Sequence, residues 1–206
     1  MNPASARITG MGIVSALGTG AAATLASLQS GKIALSPLSH FPTPSHEALP
    51  VGSVPLDMHS DGPLPRAHRL ARAAADQAMA ESAGPPDAIV LGITTGGMDI
   101  TEEALRAGNG RHDPLWYHSL SSVTEDLADR FHCRGPLLTI STACSSGAVA
   151  IKLALEMIRA GLVRNVLTGG VDGLCRLTYY GFKSLQLLDP AGARPLDRDR
   201  RGHRAR

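Results

Sequence analysis

The sequence predicts an α/β fold in which a central mixed, mostly parallel sheet lies between layers of helices. Short apolar segments of strand length alternate with longer segments whose apolar residues have helical spacing, a pattern typical of βαβ units. The 206 residues are 43% hydrophobic and 18% charged, an ordinary globular composition that excludes global disorder. The length suits one large domain or two small ones, and no internal repeat interrupts it.

The first third of the chain predicts one strand, one helix and a long loop. Residues 7–15 are a short apolar segment that leads into a glycine turn, and residues 21–29 predict a helix that ends at Gly31. Residues 36–65 contain seven of the 14 prolines in the chain. Because proline lacks a backbone donor and has a fixed φ, this segment is predicted to be mainly loop.

The middle of the chain predicts two helices and a buried strand. Residues 66–82 are rich in alanine with apolar residues at helical spacing, and the Gly-Pro-Pro sequence at 84–86 ends this helix. Residues 88–93 are a continuous apolar run typical of a buried strand, followed by a glycine-rich turn at 94–97. Residues 116–131 predict the second helix.

The next part of the chain predicts a strand, a helix and another strand. Residues 136–141 and 163–169 have the length and apolar character of strands. Residues 145–160 lie between them and are apolar on nearly all sides of a helix, which predicts a buried helix. Gly161 is placed to end that helix.

The small positive charge of the chain is concentrated at its end. The net charge is +2, but residues 194–206 contain six arginines and two aspartates, a local charge of +4. The other 193 residues carry 14 Lys+Arg against 16 Asp+Glu, a charge of −2. We therefore predict one domain over residues 1–193, with 36–65 as a loop insertion, and a basic tail over 194–206. No basic stripe interleaved with aromatic residues is present, so nucleic-acid binding is not predicted.

The sequence also predicts a soluble, cytoplasmic protein with reduced cysteines and no association with a membrane. It contains no apolar run of about 18 residues, the length that a membrane-spanning helix needs. The N-terminal residues lack the apolar run of a signal peptide. The three cysteines are an odd number at wide spacing, which does not suggest a disulfide framework.

The glycine and histidine patterns predict no cofactor site and no metal site. Gly10-Met11-Gly12 is not followed by the third glycine of a dinucleotide fingerprint, and the residues around Lys32 do not fit a phosphate loop. The eight histidines include no His-x-x-x-His pair, and no Cys-x-x-Cys pair occurs.

Cys144 is the candidate nucleophile. It lies where the strand predicted at 136–141 leads into the helix predicted at 145–160. A thiol at a helix N-terminus is close to the positive end of the helix dipole and to unpaired N–H groups, which favour the thiolate and stabilise an oxyanion. Small residues surround it and leave room for a substrate. The alternative is that Cys144 is a small buried hydrophobic residue, the common role of a free cysteine.

Cys133 and Cys175 are interpreted as structural residues. Cys133 follows a predicted helix, and Cys175 follows a glycine-rich turn. Neither cysteine lies between a strand and a helix, so both are expected to be packed as free cysteines usually are.

Four segments of the chain match one enzyme family in order. They are residues 8–15 with Leu17-Gly18, residues 135–147 with Thr142-Ala143-Cys144-Ser145-Ser146-Gly147, the turn Gly169-Gly170-Val171-Asp172, and Gly181-Phe182 with Arg194-Pro195-Leu196-Asp197 and Arg201-Gly202. Together they span nearly the whole chain. On these residues the chain resembles the N-terminal half of a β-ketoacyl-[acyl-carrier-protein] synthase, a condensing enzyme of the thiolase-like superfamily.

The resemblance implies a thiolase-like half and a decarboxylative Claisen condensation. Cys144 is then the residue that accepts an acyl group from the phosphopantetheine of an acyl carrier protein, with its own backbone N–H as one oxyanion donor. Malonyl-acyl-carrier-protein then loses CO2, and the resulting carbanion attacks the acyl-enzyme. The covalent thioester divides one difficult bond formation into two steps. The implied partners are the acyl carrier protein and either a second copy of the chain or a complementary ketosynthase half.

The resemblance also places several functional residues in a second half that these 206 residues do not include. That half supplies two histidines, a lysine and a Gly-Phe loop, and His203 matches neither histidine. The candidate bases between the turn at 94–97 and Cys144 are His112, His118 and His132, whose polar settings favour surface positions. Without its second half, the chain alone is expected to expose apolar surface and to self-associate or be poorly soluble.

Three functions remain open from the sequence. The chain is a fragment of a condensing enzyme, a non-catalytic half that pairs with a separate complementary chain, or an enzyme that uses Cys144 for simple acyl transfer or thioester hydrolysis. The last four residues, 203–206, depart from the family pattern, and one inserted nucleotide in a family-like coding sequence produces them. We therefore expect a truncation by frameshift, which sequencing of the gene beyond this point tests.

Overall fold

The chain folds into two compact units in a computed structural model. The sheet unit comprises residues 1–13 and 57–173, and the small unit comprises residues 14–56 and 174–206. The structure describes residues 5–43, 49–54, 64–80, 82, 84–108, 113–189, 194 and 196–199.

Helices and short strands alternate along the described residues. The α-helices are α1 Ala21–Gln29, α2 Arg66–Met79, α3 Met98–Ala107, α4 Ser121–Phe131, α5 Ser146–Arg159 and α6 Arg176–Ser184. The strands are β1 Val14–Ser15, β2 Gly18–Thr19, β3 Leu35–Pro37, β4 Pro50–Gly52, β5 Ala88–Gly92, β6 Leu137–Ile140 and β7 Val166–Gly170. Two 3-10 turns are Asp113–His118 and Ala143–Ser145. The predicted helices at 21–29, 66–82 and 145–160 and the predicted strands at 88–93, 136–141 and 163–169 are confirmed.

The sheet unit is built on three parallel strands in the order β6-β5-β7. The central strand β5 is buried along its whole length. Successive side chains of a strand point to opposite faces, so β5 contributes to two separate cores. Helices α2 and α4 pack on one face of the sheet and α5 packs on the other. The predicted α/β fold with a parallel sheet between helix layers is therefore confirmed.

The two cores use alternate residues of β5. Ile89, Leu91 and Ile93 face α2 and α4, whereas Ala88 and Val90 face α5. The other buried members on the α2 and α4 side are Ala67, Ala71, Ala75, Val123, Leu127, Ala128 and Leu167. The other buried members on the α5 side are Ala150, Ala154, Met157 and Val163. Small alanines on α2 and α5 let both helices approach the sheet closely.

The described residues of the small unit form two short antiparallel strand pairs, β1 with β2 and β3 with β4. Its core includes Leu38, Phe41 and Tyr179, with the Phe41 and Tyr179 rings edge to face at 5.8 Å. The Leu49 N–H donates to the Tyr179 hydroxyl at 3.0 Å. The prediction that residues 36–65 are mainly loop therefore missed the β3–β4 pair, while residues 44–48 and 55–63 lie outside the described residues.

The predicted opening strand is much shorter than expected. Only Val14–Ser15 of residues 7–15 is strand. The residues before it lie along α2, where a Cβ on Gly10 would overlap the Ala78 carbonyl. The Ile13 N–H donates to the Gln77 side chain at 3.1 Å. Those backbone groups therefore meet a helix rather than a neighbouring strand.

Three further expectations need correction. The predicted helix at 116–131 is a 3-10 turn followed by α4, with the Ser122 hydroxyl donating to the Ser119 carbonyl at 2.7 Å between them. Helices α3 and α6 were not predicted. Helix α5 is buried on one face only, since Ile151 is 54% exposed. Its apolar residues on the other face have no covering element in this chain's described residues.

His68 is a fully buried histidine in the core of the sheet unit. It lies on α2 with its Nε2 3.1 Å from the Ser122 hydroxyl and its ring edge to face with Tyr117 at 5.2 Å. Burial lowers the pKa of His68 from its ordinary value of 6.5, although the carboxylate of Asp126 raises it in part and Arg72 lowers it further. Burial in the folded chain therefore favours the neutral form of His68.

Acidification is expected to destabilise the chain through His68. Below about pH 6.5 the unfolded chain binds a proton at this histidine more readily than the folded chain does, so the free energy of unfolding falls by at most about 1.4 kcal/mol per pH unit. His68→Phe removes the proton site and keeps a ring against Tyr117. Urea unfolding between pH 7.5 and 5 should show a steeper loss of stability in the wild type than in this variant. Equal slopes would contradict the assignment.

Candidate functional site

Cys144 lies in a sharp turn between β6 and α5. It is the central residue of the 3-10 turn Ala143–Ser145, and α5 begins at Ser146. Ala143 has a φ of 56°, a left-handed conformation that residues other than glycine rarely adopt. Such strained positions concentrate at active sites. The turn leaves the Cys144 side chain exposed, so the expected strand-to-helix position is confirmed and the buried alternative is wrong.

Hydroxyl groups hold this turn in place. The Thr142 N–H donates to the Ser146 hydroxyl at 2.9 Å, and that hydroxyl donates to the Ala143 carbonyl at 2.7 Å. The Ser145 hydroxyl donates to the Thr142 carbonyl at 2.9 Å. The polar residues around Cys144 thus supply the hydrogen bonds that hold the left-handed conformation of Ala143. We call residues 142–146 the Cys144 turn.

The first turn of α5 lies directly against the ends of β5 and β7. A Cβ on Gly92 would overlap the backbone of Ser146 and Gly147. A Cβ on Gly170 would lie 2.9 Å from the Gly147 Cα, which is closer than real contacts allow. The small residues near Cys144 therefore serve the packing of helix on sheet, in addition to the room for substrate that the sequence suggested.

The three parallel strands bring three turns to one edge of the sheet. Parallel strands end at the same edge, where α/β folds bind their ligands. After β6 comes the Cys144 turn, after β5 come Thr94 and Thr95, and after β7 comes Asp172. The sequence indicated each of these segments separately, and the sheet brings them together.

Asp172 connects two of these turns. One of its carboxylate oxygens accepts the Thr94 N–H at 2.9 Å, the Thr95 N–H at 2.7 Å and the Thr95 hydroxyl at 2.8 Å. The other oxygen accepts the Thr94 hydroxyl at 2.5 Å. Sequence reasoning noted Asp172 only as part of a family motif and did not find this contact. The sequence contained one indication of this contact, because both turns are glycine-rich and follow predicted strands.

The candidate bases His118 and His132 lie at opposite ends of the sheet. His132 ends α4 in a left-handed conformation with a φ of 55°. His132 therefore lies before the start of β6, whereas Cys144 lies after its end. The four residues of β6 between them span about 13 Å at the rise of a parallel strand. His118 is exposed near the same edge as Cys144, with its Nδ1 3.2 Å from the Thr101 hydroxyl. Among the described residues, neither histidine hydrogen-bonds Cys144, and His112 and His203 lie outside them.

The other two cysteines are less exposed than Cys144. Cys175 is 2% exposed, and its Sγ lies 3.3 Å from the Thr178 hydroxyl. Cys133 is half-buried and packs against the α2 and α4 side of the sheet core. None of the three cysteines forms a disulfide bond.

The described residues include neither a metal-binding cluster nor a membrane-spanning helix. His, Cys, Asp and Glu side chains form no group of three there that would hold a metal ion. No helix in this part of the chain is long and apolar enough to cross a membrane.

Comparison with known proteins identifies similar ketosynthases. The chain is 28% identical to the tetracenomycin polyketide synthase ketoacyl synthase alpha subunit of Streptomyces glaucescens, over 95% of this chain and 54% of that protein. It is 29% identical to 3-oxoacyl-[acyl-carrier-protein] synthase 2 of Rhizobium meliloti, over 95% of this chain and 55% of that protein. The chain therefore spans about half the length of the curated relatives it matches.

The fold comparison agrees with the sequence comparison. A ketosynthase solved in complex with its chain length factor, from Xenorhabdus doucetiae, superposes with a TM-score of 0.81 at 27% identity. The match covers 95% of this chain and 54% of that chain. The family model for the β-ketoacyl synthase N-terminal domain matches residues 5–203. This chain belongs to the β-ketoacyl synthase N-terminal domain family.

Proposed function

We propose that this chain is the nucleophile-bearing half of a β-ketoacyl-[acyl-carrier-protein] synthase, with Cys144 as its catalytic nucleophile. The observation that carries the proposal is the Cys144 turn, which presents an exposed thiol at the N-terminus of α5 and at the carboxyl edge of a parallel sheet. The dipole of α5 and the N–H groups of its first turn favour negative charge there. Those groups serve both the thiolate and the oxyanion that forms during acyl transfer.

The proposed reaction has two stages. In the first, the Cys144 thiolate attacks the carbonyl carbon of an acyl thioester on the phosphopantetheine of an acyl carrier protein. The carrier thiolate leaves and takes a proton, and the acyl group stays on Cys144. In the second, malonyl-acyl-carrier-protein loses CO2, and the electron pair of the broken C–C bond forms a new bond to the acyl carbonyl carbon. The C–S bond to Cys144 then breaks and returns the thiolate.

The decarboxylation requires groups from a second half. In the resemblance, two histidines from that half polarise the malonyl thioester, and neither His118 nor His132 hydrogen-bonds Cys144 among the described residues. We assign residues 1–193 to the nucleophile-bearing domain and 194–206 to a basic tail. We also place the reaction in the cytoplasm, where thiols stay reduced.

The exposed side of α5 supports pairing with a complementary ketosynthase half. Ile151 on α5 is 54% exposed, and Leu162 just after the helix is 71% exposed. Fully burying a side chain of this kind contributes about 1.5–3 kcal/mol. We propose that this face is covered by the second half or by a partner chain that takes its place, as in a ketosynthase with its chain length factor. The chain length factor arrangement is known for the Xenorhabdus doucetiae relative.

Acyl transfer to the three cysteines tests the proposal directly. The 206-residue chain is incubated with an octanoyl thioester of N-acetylcysteamine or with the ketosynthase inhibitor cerulenin, and the adducts are mapped by mass spectrometry. We expect an adduct on Cys144 and none on Cys133 or Cys175. Absence of any adduct would overturn the nucleophile assignment and favour a non-catalytic half. Release of free octanoate without a carbon–carbon product, when a histidine-bearing half and malonyl-acyl-carrier-protein are both added, would favour simple thioester hydrolysis.

A further inference from the structure

Asp172 accepts four hydrogen bonds although its side chain is exposed. Both of its carboxylate oxygens accept bonds, and all four donors belong to Thr94 and Thr95. Hydrogen bonds to an ionised carboxylate are roughly twice as strong as those between neutral groups. Asp172 itself is not buried in the core. Its hydrogen bonds therefore hold the turn after β7 against the turn after β5, and its side chain does not contribute to core packing.

These two turns lie just beyond the end of the β5–β7 ladder. The last backbone bond between the strands runs from the Val171 N–H to the Gly92 carbonyl at 3.0 Å. Beyond it the strands have no further backbone ladder, and the Asp172 carboxylate takes over the connection to Thr94 and Thr95. The Thr95 hydroxyl also lies 3.4 Å from the Gly173 carbonyl.

The Cys144 turn depends on this same end of the sheet. The first turn of α5 is in backbone contact with Gly92 and Gly170, the last residues of the two strands that Asp172 connects. A shift of either strand end therefore moves the residues on which Ser146 and Gly147 rest. A displacement of 1 Å in such a site is enough to cost about a hundredfold in rate.

We propose that Asp172 is a positioning residue: its carboxylate holds the ends of β5 and β7 together beneath the Cys144 turn, and so aligns the thiol with the backbone N–H groups at the start of α5. This inference rests on the proposed role of Cys144 as nucleophile. Asp172 acts through Thr94, Thr95 and the two strand ends.

The test measures two reactions of the Cys144 thiol, acylation and alkylation, in the wild-type chain and in the Asp172→Ala variant. Acylation by octanoyl-N-acetylcysteamine needs the thiol and aligned N–H donors on the carbonyl oxygen, whereas alkylation by iodoacetamide needs the thiol alone. We expect Asp172→Ala to lower the acylation rate of Cys144 relative to its alkylation rate by about tenfold or more. Asp172→Asn keeps one carbonyl acceptor, so its ratio of acylation to alkylation rate should lie between those of the wild type and Asp172→Ala. Asp172→Glu keeps the carboxylate and should restore part of the loss.

Asp87 provides a matched control at the opposite ends of the same strands. Its carboxylate accepts the Arg164 N–H at 2.8 Å and the Asn165 N–H at 3.2 Å, so it also connects the start of β5 to the start of β7. Asp87→Ala removes a comparable interstrand carboxylate far from the Cys144 turn. It should leave the ratio of the two rates unchanged within about twofold, the ordinary scatter of a small surface effect.

Amide hydrogen exchange separates this inference from the proposed function. If the wild-type chain is not acylated, the proposed function fails, and the exchange of residues 142–147 then decides the role of Asp172. Faster exchange there in Asp172→Ala than in Asp87→Ala supports positioning. Equal exchange in Asp172→Ala and Asp87→Ala would overturn the positioning role. An equal fall of the acylation-to-alkylation ratio in the two variants would overturn it as well, since Asp172 would then contribute only to general stability. Where Asp172→Ala does not fold, the same comparisons are made with Asp172→Asn.

Discussion

Replacing Cys144 with alanine is expected to abolish acylation of this chain at its candidate active site. In the proposed reaction the acyl group is held through the Sγ of Cys144, and no other exposed thiol lies among the described residues to accept it. We expect acyl-enzyme formation to fall at least about a hundredfold, because the other groups of a catalytic site contribute little once its nucleophile is removed. Mass spectrometry of the intact chain after reaction with an acyl thioester measures the loss.

The stability of this variant should stay close to that of the wild type. The Cys144 side chain is exposed, and surface substitutions usually change the free energy of unfolding by less than about 0.5 kcal/mol. Cys133→Ala is the matched control, because it removes a half-buried thiol that packs against the core before β6. It should leave acylation intact and lower stability slightly. If Cys133→Ala and Cys144→Ala lost acylation equally, the assignment of the nucleophile would be wrong.

Gly92→Ala is expected to have the second largest effect, on both stability and acylation. The added Cβ would overlap the backbone of Ser146 and Gly147, so the start of α5 or the end of β5 has to move. Overpacking of this kind costs up to about 3 kcal/mol, and backbone has less freedom to adjust than a side chain. For a chain of this length that corresponds to a fall in melting temperature of roughly 10 °C. Acylation should fall about a hundredfold, since the Cys144 turn moves with α5.

Gly169→Ala is the matched control for this steric prediction. Gly169 lies one residue before Gly170 at the same end of the sheet, and a Cβ built on it meets no atom within 4 Å. The change should keep acylation and alter stability by less than about 0.5 kcal/mol. Thermal unfolding and acylation of both variants give the comparison. Equal effects at Gly92 and Gly169 would show that the loss of glycine itself, rather than the overlap with α5, is responsible.

Most elements of the sheet unit could be predicted because their local patterns agree with their environment. Residues 88–93 are continuously apolar, and the corresponding strand β5 is buried on both faces. Residues 145–160 have helical spacing, and α5 ends at Arg159, shortly before Gly161 with its φ of 71°. In these segments the hydrophobic effect and the backbone preferences favour the same structure, so the sequence pattern is sufficient.

Other elements depended on contacts that a local pattern does not contain. Helix α6 includes a glycine and aromatic residues that are weak helix formers, and it is held by Tyr179 against Phe41. Residues 7–13 have the apolar character of a strand, but their backbone lies along α2. A strand requires a neighbouring strand for its N–H and C=O groups, and an apolar run alone does not supply one.

Cys144 could be found from the sequence, and the geometry around it could not. The order of a strand, a cysteine and an apolar helix predicted the nucleophile and its position at the start of α5. The contact of Gly92 with α5 joins segments that are more than 50 residues apart, and the φ of 56° at Ala143 is held by hydrogen bonds that form only in the folded Cys144 turn. The link from Asp172 to Thr94 and Thr95 spans 78 and 77 residues of chain.

The sequence by itself determined the α/β class, the order of the main strands and helices, and the residue that carries the candidate chemistry. These depend on hydrophobic spacing and on residue type, which are local properties of the chain. Only the tertiary structure decided which turns meet at the edge of the sheet, which face of α5 is left uncovered, and that Asp172 connects two strand ends beneath Cys144. Parallel strands pair residues that are distant in sequence, so the neighbours of each turn are fixed by the sheet and not by the segment itself.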